Sequence, residues 1–172
     1  MPVNLELKAR IHSPMSVMLT LRKMGRATET LVQVDTYFRV TKGRLKLREL
    51  KKGKGELIFY NRAENTGRRW SNFNILTISD TKGMKKILKS ALGIAAVVQK
   101  IRRVYYYRED GRIHFDRVKG LGTFIEFEVL CKKDKKNAIR LYNELVNIFG
   151  INEKDIIRGS YADLIRQKLG SR

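Results

Sequence analysis

Apolar and polar residues alternate one for one over NLELKAR near the start of the chain. Leu5, Leu7 and Ala9 fall on one side, and Asn4, Glu6, Lys8 and Arg10 fall on the other. That is the two-residue period of a β-strand. The alternation recurs at about eight places, approximately residues 3–10, 31–40, 44–50, 56–62, 71–79, 97–108, 112–118 and 123–131. Several are separated only by short turn signals: Lys42-Gly43, Gly53-Lys54-Gly55, Asp110-Gly111 and Gly120-Leu121-Gly122. Connections this short cannot carry a parallel crossover, so antiparallel hairpins are predicted.

Four segments switch to the helical period. Ser13-Pro14 opens the first, which runs through Met15, Met18, Leu19 and Arg22 to Gly25. Asp80 and Thr81 open the second, which stops at Gly93. Asp134 opens the third, which stops at Gly150, and Ser160 opens the last, which runs to Gly170. No internal repeat or low-complexity linker interrupts residues 1–172, so one α+β domain dominated by an antiparallel sheet is predicted. A sheet of so many strands in so short a chain favours closure into a barrel, which removes exposed edges.

Composition adds a strong charge bias. Among 172 residues, 37 Lys and Arg stand against 17 Asp and Glu, a formal net charge of +20. Such a surplus attracts anions, whether phosphate metabolites, nucleic acid or acidic lipid, without choosing among them. Many of these charges, such as Lys132, Lys133, Lys135 and Lys136, read as solvated surface. Cys131 is the one cysteine, which excludes an intramolecular disulfide and a cysteine-based zinc site. No apolar run is long enough for a membrane helix, and the first residues lack signal-peptide character, so a cytoplasmic protein with no membrane partner is expected.

The candidate chemistry lies on the polar sides of the strands. GRLKLRE places Arg44, Lys46 and Arg48 on one side and Leu45 and Leu47 on the other. Lys8 and Arg10 continue the opening strand, Arg62 follows Tyr60, and Lys100 alternates with Arg102. Opposite faces carry Leu57, Phe59 and Ile101, available to pack under helices. A polar outer face is the plain explanation for any single strand. If the strands close into a barrel, these sides form a cationic interior suited to phosphate oxygens.

Acids occupy matching positions. FIEFEV puts Glu126 and Glu128 on one side, and Asp116 shares a strand side with His114. Such carboxylates either ligate a hard divalent cation such as Mg²⁺ or Mn²⁺ or form salt bridges with neighbouring bases. His12 and His114 have no Ser or Cys at triad spacing and read as hydrogen-bonding or structural residues. Trp70 and Tyr105, Tyr106 and Tyr107 read as packing rather than as a nucleotide stack. Gly53-Lys54-Gly55 lacks the Ser/Thr and helix of a phosphate loop.

Taken in order, NLELK, VDTYF, GRLKLRE, LIFYNR, QKIRR, IHFDRVKGLGTFIEFEV and SYADLI resemble the CYTH, or triphosphate tunnel metalloenzyme, family over nearly the whole chain. VDTYF, GRLKLRE and GLGTFIEFEV look most like its class IV adenylyl cyclase branch. The resemblance implies an antiparallel barrel of about eight strands that binds a triphosphate in its tunnel, with Mg²⁺ or Mn²⁺ held by carboxylates. By position it assigns metal binding to Glu6, Glu126 and Glu128, with Asp116 as a further acid. It assigns triphosphate binding to Lys8, Arg44, Lys46, Arg48, Lys100 and Arg102, with Arg62 as an outer member and Arg10 at the rim. Asn4 stands where the family motif has its first Glu, offering a carbonyl oxygen without charge.

Three functions follow as expectations. The first is a cyclase acting on ATP, and the second a hydrolase of inorganic, thiamine or nucleoside triphosphate. The third is a non-catalytic polyphosphate, nucleotide or RNA binder, which the net charge motivates. The resemblance to cyclases gives a homodimer as the expectation for assembly.

Overall fold

A computed structural model describes residues 3–25, 27–50, 53–62, 69–132 and 134–170, with the side chains of residues 3, 62 and 69 outside the description. The eight strands are β1 (Val3–Arg10), β2 (Glu29–Phe38), β3 (Arg44–Glu49), β4 (Gly55–Arg62), β5 (Arg69–Ile78), β6 (Ile94–Tyr107), β7 (Gly111–Val118) and β8 (Gly122–Leu130). They close in the order β1-β5-β4-β3-β2-β6-β7-β8, every neighbouring pair antiparallel. The closing seam between β1 and β8 sets Lys8 opposite Glu126 and Glu6 opposite Glu128.

Strand positions follow the sequence pattern, and their ends follow pairing. β2 begins at Glu29, two residues before its alternation is evident, because Glu29 pairs with Val104 near the far end of the long β6. β6 in turn begins at Ile94, where Phe38 pairs with Ile94 and Tyr37 with Ala96. Two alanines carry little strand signal of their own.

The helices are α1 (Pro14–Met24), α2 (Thr81–Leu92), α3 (Lys135–Phe149) and α4 (Tyr161–Gly170). The Asp80 carboxylate accepts from the Gly83 amide and Asp134 from the Lys136 amide, satisfying donors that the first turn leaves open. At α4 the arrangement is reciprocal. Asp163 accepts from the Ser160 amide at 2.7 Å while its own amide donates to Ser160 Oγ at 3.2 Å. Gly150 ends α3 in the left-handed region at φ 58°.

Helices α1 and α3 cover the apolar outer face of β1, β7 and β8, where Leu5, Leu7, Ile125 and Phe127 pack with Leu21, Leu141 and Leu145. Helix α2 covers Leu45, Leu47 and Leu57 with Met84 and Leu88. Phe59 and Ile101, expected beneath helices, are instead partly exposed on the outer wall. Helix α4 lies across one barrel end, where Tyr161 and Ala162 join Tyr37, Tyr60, Val98, Val118 and Phe124 in an apolar cluster. The polar interior begins directly against this cluster, where Tyr161 Oη donates to Asp116 and Lys8 lies over the Tyr161 ring. No helix among the described residues is long and apolar enough to cross a membrane.

Candidate functional site

The interior polar positions surround a cavity of about 440 Å³. Six basic and five acidic side chains line it, so the interior is close to charge balance and most of the +20 lies elsewhere. Both acids and bases were expected on the polar strand sides that face this interior. Most of the charges group by strand, with Lys46, Arg48, Lys100 and Arg102 on β3 and β6 and Glu6, Glu126 and Glu128 on β1 and β8, while Lys8, Arg112, Glu29 and Glu56 stand among the opposite charge.

Asp35 on β2 anchors the basic wall. It is 1% exposed. Lys100 Nζ approaches it at 3.0 Å, Lys46 Nζ at 3.3 Å, and Arg48 donates from Nε at 2.9 Å and Nη2 at 3.2 Å. Burial opposes a charge here, yet these three cations together hold the Asp35 carboxyl well below the usual carboxylate range. Within VDTYF, the strand pattern alone gives Asp35 no role. Its alternation with Gln33 and Tyr37 was the available signal.

Burial, reinforced by Arg48, pulls Lys46 down to about 7, with Asp35 working the other way. Its ammonium form, and with it anion affinity, is favoured below that value. Tripolyphosphate affinity is therefore expected to fall by about tenfold between pH 6 and pH 8 through loss of this charge. Titration calorimetry on wild type and Lys46→Arg, which stays charged, isolates the effect as the difference between their profiles.

The second cation group is held by Asp116. Arg102 donates from Nε and Nη2 to its two oxygens at 2.7 and 2.6 Å, and Tyr161 Oη donates at 2.9 Å. Burial raises the Asp116 carboxyl, but Arg102 outweighs it and the net shift is downward. Asp116, which the resemblance offers as a further metal-binding acid, has both carboxylate oxygens engaged by Arg102. Glu126 Oε2 lies 3.0 Å from Lys8 Nζ and 3.4 Å from Arg102 Nη2. Burial works against its charge, and Lys8 and Arg102 overcome it, keeping Glu126 ionised.

Arg44, assigned to the triphosphate site, does not line this cavity, and neither does Arg10, expected at its rim. Arg44 Nη2 lies 2.7 Å from Asp163 Oδ2 at the α4 end, in a separate cavity shared with Arg39 and Arg166. Arg10 Nη1 donates to the Leu121 carbonyl at 2.8 Å and its guanidinium covers the Phe124 ring. The Arg62 side chain lies outside the described residues. Conversely, His114 and Tyr106, read from sequence as structural or packing residues, both line the cavity. Tyr105 and partly buried Trp70 do pack in the core.

The donor set fits a divalent ion. Glu126, Glu128 and His114 each offer one ligand atom, all within 4.8 Å of one another. His114 Nδ1 and Asn4 Oδ1 are buried with no hydrogen-bond partner. Asn4 shares the strand side of Glu6 and lines the same cavity. Adding a charge there is expected to matter: Asn4→Glu should tighten divalent-ion binding by about tenfold, a modest fraction of a full charge interaction at close range. Direct ion titration checks this, and an unchanged affinity would put position 4 outside the ion's ligand set.

The barrel is closed, eight-stranded and antiparallel, and its interior brings cations and carboxylates together. The chain belongs to the CYTH domain family, whose model matches residues 3–161. A Methanocaldococcus jannaschii protein with the name "Putative adenylate cyclase" is 34% identical over 91 residues, 51% of each chain, so the match spans about half of that relative. A solved Pyrococcus horikoshii OT3 protein shares the fold with a TM-score of 0.81 at 19% identity, covering 94% of this chain and 98% of that one. A Hippeastrum protein, described as a "Putative adenylyl cyclase" with "a dominant" triphosphatase activity, shares it at a TM-score of 0.64 and 15% identity, covering 88% and 89%.

Proposed function

We propose that this protein is a divalent-metal-dependent enzyme that converts ATP to cyclic AMP and pyrophosphate. The observation that carries this reading is the meeting, in one cavity, of a basic wall and a carboxylate-histidine wall. The near balance of interior charge argues for a metal–triphosphate complex over a bare polyanion, which would meet as much repulsion as attraction. Leu31, Ile75 and Tyr106 also line this cavity, the latter two at its solvent-exposed edge, and such apolar surface suits a nucleoside better than inorganic triphosphate.

In this reading Glu6, Glu126 and Glu128 hold Mg²⁺ or Mn²⁺. The bound ion would favour ionisation of the ribose 3′-hydroxyl and offset phosphate charge. Lys46, Arg48, Lys100 and Arg102 bind phosphate oxygens and fix the α-phosphorus in reach of the 3′-oxygen. As the new P–O bond forms and the bond to the β-phosphate bridging oxygen breaks, these cations stabilise the leaving pyrophosphate. Asp35 and Asp116 keep their guanidinium and ammonium groups aimed into the cavity. Lys8, beside Glu126 and 4.2 Å from the Tyr161 ring centroid, links the two walls.

Hydrolysis of a terminal phosphate is the second reading, and the triphosphatase activity in the description of the Hippeastrum neighbour favours it. Purified protein incubated with ATP or tripolyphosphate, in Mg²⁺ or Mn²⁺, separates the two. Cyclic AMP with pyrophosphate supports cyclisation, and orthophosphate without cyclic AMP supports hydrolysis. Binding that falls steeply with salt, ignores divalent ions and yields no product would instead make the protein a polyanion-binding module.

A further inference from the structure

We propose that His114 is a nitrogen ligand of the divalent ion and makes the site selective for Mn²⁺-like transition ions over Mg²⁺. The inference rests on the reading above that Glu126 and Glu128 hold that ion. It assigns the histidine a role that the strand pattern did not indicate.

Strand alternation turns His114 inward from β7, and the register sets it opposite Glu126 on β8. The residue is 4% exposed. Its Nδ1 nevertheless has no hydrogen-bond partner, a costly state for a buried polar atom and one that points to a missing ligand. Nδ1 lies 3.8 Å from Glu126 Oε1 and 3.7 Å from Glu128 Oε1. Both separations are too long for hydrogen bonds. They do suit atoms sharing one ion, since bonds of about 2.0–2.2 Å put neighbouring ligands about 3–4 Å apart.

Glu126 is arranged accordingly. Its Oε2 is turned toward Lys8 and Arg102, leaving Oε1 toward His114. An imidazole nitrogen binds first-row transition ions well, whereas Mg²⁺ favours an all-oxygen shell and retains its waters. With Asn4 in place of a carboxylate, the nitrogen provides affinity that Mg²⁺ cannot exploit to the same extent.

Electron spin-echo spectroscopy of the full chain loaded with Mn²⁺ reads the ligand directly. Expected is a ¹⁴N coupling from imidazole in wild type that disappears in His114→Gln. Calorimetry should show Mn²⁺ affinity falling by about tenfold or more in that variant, with Mg²⁺ affinity changed by less than about threefold. Mn²⁺ bound by wild type but lost in Glu126→Gln, with no ¹⁴N coupling, overturns the histidine assignment and leaves the carboxylate site standing. Wild type that binds neither ion overturns both. The spectrum of the wild-type protein decides the assignment even if the variant folds poorly.

Discussion

Glu126→Gln is expected to lower turnover of the preferred triphosphate by about 10³-fold, a loss of the size seen when one group stabilising transition-state charge is removed. The substitution keeps shape and hydrogen bonding while deleting a charge directed at His114, Glu128, Lys8 and Arg102. The barrel should hold. Arg102 retains its two-pronged pairing with Asp116, and Lys8 retains the Tyr161 ring. Steady-state kinetics with a thermal melt checks both halves. A polyanion-binding module would respond oppositely, gaining affinity when a negative charge leaves its cavity: undiminished turnover would take Glu126 out of the essential ion-binding set, and tighter metal-free binding with no turnover in either protein would sink the enzymatic reading.

Asp35→Asn is expected to cost about 3–5 kcal/mol of stability, as breaking a buried ion pair does when a charge is left uncompensated. For a chain of this length that corresponds to a fall in Tm of roughly 6–20 °C. Lys46, Arg48 and Lys100 would all lose the carboxylate between them. A bound anion can replace it. Tripolyphosphate should therefore raise the Tm of Asp35→Asn more than that of wild type, because a ligand stabilises the native state according to its affinity for it. Equal shifts would mean that Asp35 is not competing with phosphate for these cations. The pH dependence has a definite sign. Because the folded Asp35 carboxyl is depressed, its contribution is fully present above the unfolded value of about 3.9 and is lost as pH falls through the folded value.

The assignment of strands to the barrel was legible because a period of two is written locally. NLELKAR alternates visibly, and Leu5, Leu7 and Ala9 are indeed buried on the outer face. Helix starts at Asp80 and Asp134 were equally legible, since a cap needs only the next few amides. Ile94–Ala96 was not, because small residues acquire strand structure there only by pairing with Tyr37 and Phe38. The motif order also pointed to Glu126, Glu128, Lys100 and Arg102, all of which line the cavity.

By itself, the sequence determined which side of each strand is polar, where the helices begin and which family motifs occur, since these depend on near neighbours along the chain. Tertiary structure alone decided which polar sides meet. Barrel closure brought β1 against β8, Lys8 against Glu126 and His114 toward two carboxylates, while α4 drew Arg44 to Asp163 and away from the cavity. The physical reason is that alternation gives a side chain its face, whereas the electrostatic partner across a closed sheet is set by register between segments far apart in sequence. Asp35 makes the difference plain: one acid in a strand pattern, it becomes the buried centre of three cations only when β3 and β6 flank β2.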